Sequence, residues 1–107
     1  MTNDERYRRI LEATRTLFLD ELRAKSADIA NAVHRWREGA LSDDALVEHL
    51  YRQTHTLKGV ALTVGFEDVH AVAEAVSAFK YRHEETPLQD AELELLVSKA
   101  LELRAYR

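Results

Sequence analysis

Leu50-Tyr51-Arg52-Gln53-Thr54-His55-Thr56-Leu57-Lys58-Gly59-Val60-Ala61-Leu62-Thr63-Val64-Gly65 carries a helical repeat and a histidine that the repeat does not need. At about 100° per residue, Leu46, Leu50, Leu57, Ala61 and Val64 fall on one face, which reads as the core face. His55 points almost directly away from it, with Glu48, Tyr51, Arg52, Lys58, Gly59 and Leu62 around it on the outward side. Ser42 supplies a side-chain cap, Asp43 and Asp44 place acids in the first turn, and Gly65 closes the helix.

The flanking sequence repeats this pattern. Upstream, a helix starts near Asn3 or Asp4, either of which can cap it, with Tyr7, Ile10, Leu11, Thr14, Leu17, Phe18 and Leu22 on one face, continued by Ile29, Ala32, Val33 and Trp36. Glu21, Lys25 and Asp28 interrupt that stripe. The expectation is therefore two helical segments in one rod, broken near Ser26 and ended by Gly39. Downstream, Val69, Val72, Ala73, Val76 and Phe79 mark a helix from Glu67 or Asp68 to Glu84. Thr86-Pro87 makes the next connection, because proline disfavours helical geometry in the residue before it. Asp90 is the expected cap of a last helix, whose stripe of Leu93, Leu96, Val97, Ala100 and Leu101 runs to the C-terminus.

These elements predict an all-α fold: an antiparallel four-helix bundle, with an extra N-terminal helical segment as a variant. One domain over residues 1–107 fits a chain of this length. Its ending, without a cap, leaves open an N-terminal module of a larger signalling protein. With 46% hydrophobic residues, 3 Gly and 1 Pro, long ordered helices are expected. The net charge of −4 is spread without a basic block, so neither nucleic acid nor an anionic membrane surface is the expected partner. There is no cysteine, hence no disulfide, thiolate zinc site or thiol nucleophile. The polar start, Met1-Thr2-Asn3-Asp4-Glu5, is not a signal sequence, and a cytoplasmic domain is the plain expectation.

A surface histidine is usually only a solvated polar group, and His34, His49, His70 and His83 take that reading. His55 differs in three ways. It faces solvent without a packing reason. Gly59, one turn on, costs about 1 kcal/mol against alanine and clears space on the same surface. Lys58 can reach a phosphoryl group near His55. Imidazole is nucleophilic near pH 7 and can carry a covalent intermediate. No Gly-rich phosphate loop or magnesium-type acid cluster accompanies it, so reaction with another protein's active site is expected.

His55-Thr56-Leu57-Lys58-Gly59, followed by Gly65-Phe66 and the helix with Val69, Ala73 and Val76, resembles the histidine phosphotransfer (HPt) domain. Leu50-Tyr51-Arg52-Gln53-Thr54 and Phe18-Leu19-Asp20-Glu21-Leu22 are also similar to that family, so the likeness covers most of the chain. It implies a four-helix bundle, a phosphocarrier and not an enzyme. His55 would be phosphorylated on Nε2, Lys58 would steady the phosphoryl group, and Gly59 would admit a response-regulator receiver domain. A sensor or hybrid histidine kinase would be the other partner. No cofactor of its own is implied, magnesium being expected on the receiver.

Val60 departs from the small residue frequent after the family's glycine. Ser77 stands where chemotaxis-type kinases carry a histidine-orienting glutamate, and Glu74 stands where they tend to have another histidine. Both are candidates to flank His55. Tyr51 and Leu62, ringed by Glu48, Arg52 and Lys58, form the expected receiver-docking patch. Two other functions compete: a non-catalytic helical interaction module, and a metal-binding protein using the five histidines, no two of which have i, i+4 spacing.

Overall fold

No glycine or proline interrupts the chain between Asn3 and Arg37, and those residues form one continuous helix, α1, capped not by Asn3 or Asp4 but by Thr2, whose Oγ1 accepts the Glu5 N–H at 3.1 Å. The computed structural model describes residues 2–106 and places three further helices after it. These are α2 (Asp43–Ala61), α3 (Glu67–Glu85) and α4 (Asp90–Leu101), followed by a 3-10 turn, Glu102–Tyr106. Connections over residues 38–42, 62–66 and 86–89 are too short for anything but antiparallel neighbours. Each helix packs on the next, and α4 with the 3-10 turn returns to α1, closing a four-helix bundle.

The expected break near Ser26 does not occur. Ser26 is buried in the middle of α1, small enough to sit against its neighbours. Glu21 and Lys25, which suggested a wet gap, form an i, i+4 ion pair of 3.1 Å along the edge of the stripe. Such a pair supports helix instead of ending it.

The N-terminal variant of the bundle takes a simple form. At 35 residues α1 is about 52 Å long, whereas the 19-residue α2 and α3 are about 28 Å. The first turns of α1 therefore run past the bundle and leave Tyr7 and Ile10 exposed, while Leu17 is exposed on the outer side of α1. Burial begins in earnest at Phe18, whose ring meets Phe66 at 5.2 Å.

Gly39 and Gly65 end α1 and the α2 turn as expected, each with positive φ (78° and 86°). Ala40 N–H donates to Arg35 O and Phe66 N–H to Ala61 O, the six-to-one bonds of the motif that uses glycine at this point. Val64 is buried, but in the turn beyond α2. At the other end of α2, Trp36 Nε1–H donates to Asp43 Oδ1 at 2.7 Å and pins the start of α2 to the end of α1.

The last helix differs in two details. Gln89, not Asp90, is its cap, and its N–H donates to Glu92 Oε1 at 3.2 Å. The α-helix then tightens to 3-10 after Leu101 instead of continuing toward Arg107, which lies outside the described residues. The tightening buries Leu103 and lays the Tyr106 ring on Phe66, with its hydroxyl donating to Asp68. Among the described residues no helix is long and apolar enough to cross a membrane.

Candidate functional site

Burial sets the roll of α2. Leu46, Val47, Leu50, Thr54, Leu57 and Ala61 are all buried on its inner side. Thr54, next to the histidine, can be buried because its hydroxyl donates to Leu50 O at 2.9 Å. With Thr54 and Leu57 turned inward, His55 is forced outward, and it is exposed.

Its ring is not free to wander. The His55 imidazole stacks on Tyr51, one turn earlier, at 5.1 Å between centroids and 22° between planes. Tyr51 meets the edge of Tyr81 from α3, and Lys80 Nζ lies 4.2 Å from the Tyr51 ring centre. The Tyr81 side chain first, then loss of solvent, holds the Tyr51 phenol above its ordinary value. The Glu84 carboxylate, 2.9 Å away, does the same for the Lys80 ammonium.

On the other side of His55 opens a groove of about 570 Å³, lined by His55, Lys58, Gly59, Leu62, Thr63 and His70 among others. Gly59 is exposed, and a Cβ built on it meets nothing within 4 Å. Close packing inside this chain is thus not its purpose. Leu62 is exposed beside it, while Glu48 and Arg52 pair with each other at 2.7 Å on the rim.

Among the described residues, no hydrogen bond or ion pair joins Glu74 to His55. Glu74 Oε1 lies 3.7 Å from Lys58 Nζ and 3.6 Å from His70 Nε2. Ser77 is half-buried on α3, and no hydrogen bond joins it to His55 among the described residues. Three histidines read as solvated also move inward. Among the described residues, His49 Nε2 and Gln53 Oε1 are covered and have no hydrogen-bond partner, and His70 is half-buried in the groove. His83 accepts the Leu88 N–H on Nδ1 (3.0 Å) and meets Asp44 Oδ1 through Nε2 (2.6 Å), tying three segments together. Only His34 keeps the solvated reading, in an exposed i, i+4 contact with Glu38.

Sequence reading missed Lys80, Tyr81 and His70 as neighbours of the site. They lie on α3, and their approach to His55 depends on how α3 pairs with α2, which no local spacing reveals. Among the described residues no three His, Asp or Glu side chains come together as a metal site.

The family profile described as "Hpt domain" matches residues 13–106, nearly the whole described chain. The chain belongs to the Hpt domain family. Histidine phosphotransfer within two-component relays is the general role of this Hpt domain, and its helical bundle is the family's architecture. The match begins inside α1, leaving out the turns that run past the bundle. Comparison with curated proteins and with solved structures returned no match.

Proposed function

We propose that His55 is the phosphoacceptor of a cytoplasmic phosphorelay and exchanges its phosphoryl group with the aspartate of a response-regulator receiver domain. The observation that carries this reading is an exposed, ring-stacked histidine with Lys58 and an unfilled Gly59 one turn away. In the forward step the Nε2 lone pair attacks phosphorus. An N–P bond forms as the P–O bond of the receiver's acyl phosphate breaks. The carboxylate leaves with the electron pair, and the imidazole keeps its proton on Nδ1. The back reaction reverses each change.

Lys58 steadies the phosphoryl oxygens, and the open surface at Gly59 admits the receiver. Tyr51 and Leu62, rimmed by Glu48 and Arg52, dock it. The receiver brings magnesium and the catalytic groups, so the Hpt domain acts as carrier and not as enzyme. A sensor or hybrid histidine kinase stands elsewhere in the relay. A bundle used only for binding would gain stability from alanine at position 59, which supports the carrier over a non-catalytic interaction module.

The test is phosphoryl transfer from a phosphorylated receiver domain to the wild type and to His55→Gln. An acid-labile, base-stable label on the wild type alone is the expected result. Label on both proteins would move the site to another histidine.

A further inference from the structure

Lys58 is already engaged by an anion of its own chain. Glu74, on α3, holds its carboxylate 3.7 Å from the ammonium, and the lysine is the less exposed partner (32% against 58%). His70, one turn before Glu74, approaches the same oxygen at 3.6 Å and lines the groove beside His55. Lys58 and His70 thus line the groove beside His55, and Glu74 contacts both of them.

We propose that Glu74 is a positioning residue that sets the phosphotransfer equilibrium by competing with the phosphoryl group for Lys58. This rests on the assignment of His55 and Lys58 made above. A phosphoryl group brings close to two negative charges. It recruits Lys58, one turn away on α2, and the lysine must weaken its contact with Glu74 to serve it. The carboxylate then stands near a second anion with only His70 to hold it. Both effects raise the energy of phosphorylated His55 without touching the phosphorylated receiver. The Hpt domain is thereby kept a ready donor and not a phosphoryl sink. An ion pair this exposed is worth little for folding, and its effect on an equilibrium is about two- to fivefold.

The experiment measures the equilibrium ratio of phosphorylated Hpt domain to phosphorylated receiver, with magnesium, using a receiver domain charged by acetyl phosphate. Wild type, Glu74→Gln, Lys58→Met and the double variant are compared, with His55→Gln as the site control. Glu74→Gln is expected to raise the ratio about two- to fivefold. In the Lys58→Met background that gain should shrink by at least half, because the contested cation is gone. A labelled wild type with an unchanged or lower ratio in Glu74→Gln would overturn the inference and leave the His55 assignment standing. So would an equal gain in both backgrounds, which would mean a general charge effect. No label on the wild type, or label retained by His55→Gln, would overturn the His55 assignment and the inference with it.

Discussion

The imidazole of His55 rests on the phenol ring of Tyr51, nearly parallel at 22° and 5.1 Å away. An exposed histidine on a helix has several rotamers of similar energy, and a reaction at one ring nitrogen uses few of them. Aromatic contacts of this kind are worth about 0.5–1.5 kcal/mol. That is enough to favour one orientation.

Tyr51→Leu should therefore slow phosphoryl transfer about two- to tenfold, while Tyr51→Phe stays within twofold of the wild type. The ring-current shift of the His55 carbon-bound protons, read by NMR, should vanish in Tyr51→Leu and persist in Tyr51→Phe. An unchanged shift in the leucine variant would remove Tyr51 from this role.

Gly59 separates stability from function. A Cβ at this position meets nothing within 4 Å, so Gly59→Ala should stabilise α2 by roughly 0.5–1 kcal/mol. Thermal unfolding should move up by roughly 3–6 °C. Gly59→Leu should leave folding intact and weaken receiver binding, measured by titration calorimetry. Tight binding by the leucine variant would show that the receiver does not approach here.

Leu57 and Leu17 look alike in sequence and should behave oppositely. Leu57 is 1% exposed beneath the histidine, and Leu57→Ala should cost about 2–5 kcal/mol in urea unfolding. Leu17 is 70% exposed on the outer side of α1, and Leu17→Ala should stay within about 0.5 kcal/mol of wild type.

Tyr106 gives a signature at alkaline pH. Loss of solvent first, then the hydrogen bond to Asp68, pushes its phenol from 10.0 up to about 12. The fold favours the protonated form, so this contribution is complete below pH 10 and is lost as pH rises from 10 to about 12. The stability advantage of wild type over Tyr106→Phe should hold to pH 10 and shrink across that window. A constant advantage through pH 12 would show that the Asp68 contact is not what secures the 3-10 turn.

Much of this architecture is legible in the chain because it rests on short-range effects. A stripe such as Leu46, Leu50, Leu57 and Ala61 has one inner face whatever it packs against, and a glycine such as Gly39 or Gly65 is needed wherever the backbone turns with positive φ. The outward aim of His55 follows from the same arithmetic. The N-terminal turns misled because Tyr7 and Ile10 continue the apolar pattern where little remains to pack on, while Leu17 lies on the outer side of α1 beside buried Phe18. Pattern records which face is apolar, not how far the neighbouring helices extend. Ser26 misled in the opposite sense, since a polar residue on a stripe can be buried when small.

The sequence by itself determined the apolar stripes of the four-helix bundle, the stops at Gly39 and Gly65, the exposed histidine and the clearing at Gly59, each governed by interactions spanning one or two turns. Tertiary structure alone decided which groups surround that histidine. Lys80 and Tyr81 reach Tyr51, Glu74 takes Lys58 instead of His55, and Tyr106 folds back onto Asp68, each across a gap between elements. The rotation and axial offset of α3 against α2 come from the packing of the whole core, summed over all the helices, and no local spacing carries that sum.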